Sequence, residues 1–486
     1  LTGNGKTVIR GGYRLAYDPP FYNIYLNIAS SAPLVKLQTI SGATAAGIQM
    51  PGDPSGTAIR SLLSSYLTLG TGDPRAFSQT TVAPNFGPDR VNEWSLGIQR
   101  EIVHNAVFEA RYVGNHAFDL FQSIDANPYA ADLAAYFPNF LPSGVTPCPS
   151  ANAVVASAVG RVTCNEGVVR ERTNTGYSDY NGLQLSFRTN NLFQQLTMRT
   201  SYTWSKTTDN VSEIFNTFGG GNTYAFSQDP FNYTSAEHGL SAQDIPQALA
   251  VSFFEQIPFY RTQHGVVGHI LGGWGLSGTY LLSSGQPYTP VQLAFGYYTN
   301  AVGQDTPFDL SFIGTYETFR PFLSNPSAPV STVGVYAADA CNWFGLGCNM
   351  AANTLLSFNA MNVLTPAQMA SYQPTPISQK DVHFIANGGE AQTIFNSPYG
   401  NAARNSLRDA MTNSADVTIF KDFKFWEKAT LQWHMSLLNA FNHPNFSSVD
   451  PFIEDAGLLQ EYTGFGVPAL YSGGNRSIRF GLKVIF

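Results

Sequence analysis

The end of the chain carries the pattern that most narrows its fold. Residues Arg476–Phe486 (RSIRFGLKVIF) alternate without a break. Side chains of an extended strand repeat every two residues, so Ile478, Phe480, Leu482, Val484 and Phe486 share one face. Ser477, Arg479, Gly481, Lys483 and Ile485 share the other. Large apolar residues opposite two cations suit a strand with one face toward lipid and the other toward a wet interior. A soluble sandwich edge shows the same alternation, so the pattern decides the fold only by recurring.

Nine further segments carry the same period. Thr7–Tyr17 sets Ile9, Tyr13, Leu15 and Tyr17 against Arg10 and Arg14. Val91–Arg100 sets Trp94, Leu96 and Ile98 against Glu93, Ser95 and Gln99. Ala106–His116 opposes Phe108, Ala110 and Tyr112 to Glu109 and Arg111. Gly182–Asn190 opposes Leu183, Leu185 and Phe187 to Gln184, Ser186 and Arg188. Leu196–Lys206 opposes Met198, Tyr202 and Trp204 to Arg199, Ser201 and Thr203. Trp274–Ser283, Ala415–Phe425 and Thr430–Ala440 follow, while Gln247–Ile257 is ambiguous in phase.

The connectors alternate in length. Segments 101–105, 191–195 and 426–429 are tight and 258–273 is longer, whereas 18–90, 117–181, 207–246, 284–414 and 441–475 are long. Short turns on one side and long loops on the other is the layout of bacterial outer-membrane barrels, with the turns in the periplasm. Trp94 and Trp204 fall near the long-loop ends of their strands, and Trp274, Trp426 and Trp433 near the short turns. Two aromatic belts at the two interfaces give that arrangement; ordinary core tryptophans are the alternative.

Composition agrees. Charged residues make up 12% of the chain, against about 25% in soluble domains. No apolar run approaches the ~18 residues of a spanning helix, so any membrane crossing is made by strands. A net charge of −7 and the lack of basic runs argue against a nucleic-acid partner. The four cysteines fall in two local pairs, Cys148/Cys164 and Cys341/Cys348. Of the three possible connectivities, local pairing closes two short loops in an oxidising compartment. A zinc site is the rival, although neither pair has knuckle spacing or a nearby histidine. Because a full strand follows directly on Leu1, the chain reads as a fragment with its natural C-terminus.

Stretches along the whole chain resemble the barrel of TonB-dependent receptors of the Oar-like kind, which carry a carboxypeptidase-regulatory-like domain. They are NEWSLGIQREI (Asn92–Ile102), FEARYVGNHAFDLF (Phe108–Phe121), YNGLQLSFR (Tyr180–Arg188), SYTWSKTTDN (Ser201–Asn210), GGWGLSGTYLLSSGQPYT (Gly272–Thr289), GNAARNSLR (Gly400–Arg408), LLNAFNHPNF (Leu437–Phe446) and the final IRFGLKVIF. The resemblance implies an all-β, transmembrane antiparallel barrel in the cell outer membrane. Residues 1–486 would supply about the last ten of some twenty-two strands. A plug domain, the TonB box and the earlier strands would lie outside this chain. It further implies contact with outer-membrane lipid, with the barrel-assembly machinery through the terminal aromatic Phe486, and with an unidentified extracellular ligand. TonB would couple through the missing N-terminal region.

No cofactor or metal is expected: His264/His269 and His434/His443 lack zincin spacing, and no serine sits in a GxSxG elbow. No enzyme constellation is present. Arg10, Arg14, Glu109, Arg111, Arg188, Arg199, Arg479 and Lys483 are the lumen-facing candidates, set to pair with a plug or neighbouring strands, or else to guide a ligand. Loop aromatics Phe215, Phe218, Tyr224, Phe226, Phe231, Tyr233, Tyr297, Tyr298 and Trp343 either stack a flat ligand or pack the loops. Import of a ligand is the leading function; an anchor or adhesion role displaying disulfide-pinned loops is the alternative.

Overall fold

The computed structural model describes residues 5–20, 22–29, 73–76, 79–192, 195–213, 226–293, 318–426, 429–446, 449–458, 465–466 and 475–485. The alternating segments form ten long strands. They are β1 (Thr7–Asp18), β2 (Asp89–Val103), β3 (Ala106–Asp125), β4 (Val169–Leu192) and β5 (Leu196–Asp209). Then come β6 (Gln247–Gln256), β7 (Trp274–Ser283), β8 (Thr412–Trp426), β9 (Ala429–Leu438) and β10 (Ser477–Ile485). They lie side by side in chain order, each antiparallel to the next. Among the described residues no helix is long and apolar enough to cross a membrane. The ten strands thus form one continuous antiparallel path, with the long connectors at one end and the short ones at the other.

Register joins the strand patterns into two continuous faces. One row of paired residues runs Ile9–Ile98–Ala110–Leu185–Tyr202–Leu249–Leu282. Nearer the short turns, another runs Met198–Phe253–Gly278–Val417–Leu437–Ile478. The alternate phase holds rows such as Arg188–Arg199–Ser252–Thr279–Asp416. Rows on one phase step down the sheet as the strands stagger, as tilted barrel strands do. Leu96 is 61% exposed and Phe480 and Leu482 are 68% exposed. A sandwich would have buried them; here that face meets lipid. At the extracellular end Gly114 lies under the Trp94 ring, where a Cβ would collide with the indole. At the periplasmic end the β2–β3 turn is tight because Asn105 accepts a left-handed backbone, φ 63°.

Two strands run further than their alternation. The period stops near His116 and starts again near Gly182, yet β3 continues to Asp125 and β4 begins at Val169. So 117–125 and 169–181 are ladder rather than loop. Above the membrane a ladder has no lipid face, and its residues lose the two-residue code. Gln79–Val82 adds a parallel strand against Val169–Arg172 and helps bury Gln122, Ser123 and Arg172. The segment read as 284–414 is likewise not one open loop. Phe322–Leu323, Val333–Tyr336, Leu355–Ser357 and Phe384–Ile385 form a small sheet. Helices Ala337–Phe344 and Gly389–Phe395 lie in the same segment. Its core of Val333, Val335, Leu356, Phe358, Met361 and Phe384 takes in Ile453, Ala456 and Phe465 from the last long loop. Among the described residues, the clustered apolar core therefore lies in the loops.

The two faces have opposite tolerances. Leu185→Arg, on the apolar row, is expected to destabilise the barrel by about 2–4 kcal/mol, the midplane value for a cation facing lipid. Ser186→Arg, one residue along and across from Glu109 and Ser201, is expected to cost far less. Denaturant unfolding in phospholipid vesicles measures both; equal losses would mean that the faces are wrongly assigned.

Candidate functional site

The eight charged candidates lie on the polar phase of the sheet. Arg14 sits across from Glu93 and is ion-paired to it. Arg111 donates from Nη2 to Glu109 Oε1 at 2.8 Å. Arg10 faces Gly97, Arg479 faces Ser436 and Lys483 faces Gln432. Arg188 and Arg199 sit directly opposite one another, a like-charge pair that destabilises an isolated sheet. Among the described residues, Arg10, Arg188, Arg199, Arg479 and Lys483 pair with no carboxylate. A depression of about 210 Å³ on this part of the sheet is lined by Glu109, Arg111, Gln184, Ser186, Ser201 and Thr203, among others. On the same phase, nearer the periplasm, Phe254 and Phe420 stack at 5.4 Å.

Over the extracellular strand ends lies a second cluster, which spacing in the sequence does not disclose. The segment Gly400–Arg408 threads between three loops. Arg404 is ion-paired to Asp209 at the top of β5 and donates to the Glu237 carbonyl at 2.7 Å and to Ser212 Oγ at 3.0 Å. Glu237 Oε1 accepts from Arg320 Nη2 at 3.0 Å and from Ser227 Oγ at 2.8 Å. Arg408 is ion-paired to Asp244, whose other oxygen accepts from the Thr207 N–H at 2.6 Å. Asn405 exchanges hydrogen bonds with Thr289 and donates to the Leu240 carbonyl. Apart from Arg408, these charged groups are about nine-tenths buried or more. The one sequence signal was the motif GNAARNSLR itself, two arginines four apart in a charge-poor loop.

The remaining candidates fall as follows. Cys148 is bonded to Cys164 and Cys341 to Cys348, with Cα–Cα distances of 5.2 and 4.8 Å. The second bridge sits at the end of the Ala337–Phe344 helix, where Gly345 takes the left-handed cap. Phe226 and Phe231 pack on Leu133 and Phe137, and Trp343 packs edge-on to Phe358; these rings are loop packing. The Tyr233 carbonyl accepts from Gln122. Phe215, Phe218, Tyr224, Tyr297, Tyr298 and the terminal Phe486 lie outside the described residues. Among the described residues no group of His, Cys, Asp and Glu could hold a metal ion.

Asp125 and Asp339 are among the carboxylates above the membrane that burial holds away from their ordinary range. Burial pushes Asp125 up to about 7, against the opposing pull of the Asn127 N–H and of Arg161 at 4.0 Å. Burial likewise lifts Asp339 to about 6, although it accepts from the N–H groups of Glu390 and Ala391 at the start of the Gly389–Phe395 helix.

The family model described as outer membrane beta barrel domain matches residues 1–479. Among solved structures, the outer membrane transporter YddB from Escherichia coli aligns with 99% of this chain and 38% of its own, at 11% identity and a TM-score of 0.40. FpvA of P. aeruginosa, solved bound to heterologous pyoverdines, aligns with 99% of this chain and 31% of its own, at 9% identity and 0.35. The FrpB iron transporter from Neisseria meningitidis aligns with 84% and 33%, at 10% identity and 0.30. This chain thus spans well under half of the length of each. No curated protein matches the sequence.

Removing one partner of a buried ion pair leaves the other charge uncompensated, at a cost of about 3–5 kcal/mol. Arg404→Ala should therefore loosen the loop assembly by that order while the barrel stays folded. Hydrogen exchange would show lost protection in 226–245 and 318–411, with β2–β6 unchanged. Asp125 gives a pH signature. Its folded value lies above that of the unfolded chain, so the stability it supports is complete below about pH 4 and is lost as pH rises through about 7. Asp125→Asn should keep the Asn127 hydrogen bond and raise the thermal stability of the extracellular region at pH 8 but not at pH 4. Near-UV circular dichroism melts at the two pH values provide the check.

Proposed function

The chain belongs to the outer membrane beta barrel domain family, and from that membership we propose that it forms part of the barrel of a TonB-dependent receptor. In this reading its loop assembly captures a scarce extracellular ligand, and the plugged lumen passes that ligand inward with energy from the inner membrane. The sequence resemblance to Oar-like receptors makes these ten strands the C-terminal part of a wider barrel. The polar phase is then the lumen.

The observation that carries this reading is the set of cations on the polar face that have no carboxylate partner among the described residues: Arg10, Arg188, Arg199, Arg479 and Lys483. Like charges directly across a ladder persist when something anionic sits against them. A plug domain inside the lumen supplies that, and an anchor with an idle interior does not call for it. The buried ion pairs around Arg404 add a preorganised extracellular surface, which lowers the ordering cost of binding. Catalysis forms no part of the proposal.

Uptake and binding separate transport from adhesion. Cells carrying the complete receptor should deplete a solute from spent medium in an energy-dependent way, seen by untargeted mass spectrometry. The depletion should stop when the inner-membrane energy complex is removed, while surface binding persists. Arg188→Glu together with Arg199→Glu should impair uptake more than binding. If loss of the receptor abolishes cell attachment and changes no solute, the anchor reading holds instead.

A further inference from the structure

The link between β6 and β7 is built unlike the other turns on its side. It contains a short helix, Gly265–Leu271. Phe259, Tyr260, Val266, Val267, Ile270 and Leu271 are all exposed, Val266 to 76%. At 3.6 residues per turn, Val266, Val267, Ile270 and Leu271 fall within one arc of about 140°. Gly265, Gly268 and His269 take the opposite side. Gly268 is turned against the Gln263 backbone, where a Cβ would lie 2.9 Å from the carbonyl carbon. The apolar arc therefore points away from the body of the link.

Lys421 fixes where that helix sits. It is in register with Trp274 on β7 and Trp433 on β9, within the apolar rows. A lysine on that face is costly, yet this one is only 5% exposed. Its Nζ donates to the carbonyls of Ile270 at 3.0 Å and Gly272 at 2.6 Å, at the end of a helix whose last carbonyls lack partners of their own. It also lies 4.7 Å from the Trp274 ring and 5.0 Å from the Phe423 ring. Trp274 Nε1 donates to the same Ile270 carbonyl at 3.1 Å. Gln263 ties the other end: its Nε2 donates to the Asp422 carbonyl at 2.7 Å and its Oε1 accepts from the Lys424 N–H at 3.3 Å. The link is thus fastened over the lipid-facing side of β7 and β8. The aromatic contacts Trp274–Trp433 and Trp433–Phe480, each 6.3 Å, run on from it.

We infer that this link is an interfacial membrane anchor, whose apolar arc enters the periplasmic leaflet of the outer membrane and whose occupant is phospholipid. Continuity with the aromatic belt identifies the occupant, because the outer circumference at that height is already lipid. Lys421 is the tether. It closes the helix end where no water is available to do so, and the helix in turn shields a charge that lipid would not accept.

Single-cysteine labelling tests this, since the four cysteines of these 486 residues are in disulfides and any other free cysteine of the complete receptor is replaced by serine. Val267→Cys and His269→Cys receive an environment-sensitive fluorophore, and the complete receptor is reconstituted in phosphatidylethanolamine–phosphatidylglycerol vesicles with brominated acyl chains. The probe at 267 is expected to be blue-shifted and quenched by bromine, and the probe at 269 to be neither. Adding Lys421→Met should abolish the quenching at 267 while heat-modifiable migration shows the barrel still folded. A probe at 267 with water-like, unquenched emission overturns the inference. So does equal quenching at 269, and full quenching in the Lys421→Met background removes the tether.

Discussion

A backbone amide in hydrocarbon has only the neighbouring strand to bond to, and leaving it unpaired costs several kcal/mol. The nine ladders from β1 to β10 meet that demand, and the rest of the molecule is arranged around them. With every strand in register, each side chain is committed to lipid or to the polar side by its parity alone. The sheet then has no interior in which to bury apolar groups, so the buried core appears where water returns, among the loops. One cluster there joins residues of 318–411 to Ile453, Ala456 and Phe465 of the last long loop, and a second is built from 318–411 alone.

Charge is handled in three ways, and each follows from its surroundings. In the loop assembly, two buried carboxylates are held by ion pairs and hydrogen bonds: Glu237 by Arg320 and Ser227, and Asp244 by Arg408 and the Thr207 N–H. Such pairs confer fixed geometry more than net stability. On the polar face, Arg14 and Arg111 pair with Glu93 and Glu109, while Arg10, Arg188, Arg199, Arg479 and Lys483 stand across from neutral residues or from one another. On the apolar face, Lys421 is hidden between a helix end and aromatic rings.

The sheet was legible because lipid and lumen impose a period of two. Where that pressure lapses, the code lapses with it. The extensions of β3 to Asp125 and of β4 from Val169 carry no alternation, so nothing in their sequence marks them as ladder. The ambiguous phase of β6 has a specific cause. Leu249, Val251 and Phe253 join the apolar rows, while Phe254 lies on the other face and stacks on Phe420. A strand apolar on both sides gives no phase. The ion pairs of the loop assembly were illegible for another reason: Arg404 meets Asp209 across 195 residues of sequence, and nothing local in either segment names its partner. Lys421 lay in plain sight in Ala415–Phe425, but its role depends on a helix delivered from the preceding link.

The two sheet edges bear on the width of the barrel. Among the described residues, β1 pairs only with β2 and β10 only with β9, and an open edge in lipid is not tolerated. Were β1 and β10 to pair with each other, the ten strands would enclose an interior little wider than the eight-stranded kind, which side chains fill. Arg10, Arg188, Arg199, Arg479 and Lys483 would then crowd together. Nearby carboxylates are already engaged: Glu93 with Arg14, Glu109 with Arg111, Asp416 with the Asn439 N–H, and Asp422 with Gln432. Pairing with further strands relieves both problems, since it covers the edges and leaves room for an occupant that brings negative charge. Edge pairing and charge balance are independent requirements, and both favour the wide, plugged barrel of the proposed receptor over a closed ring of these ten strands.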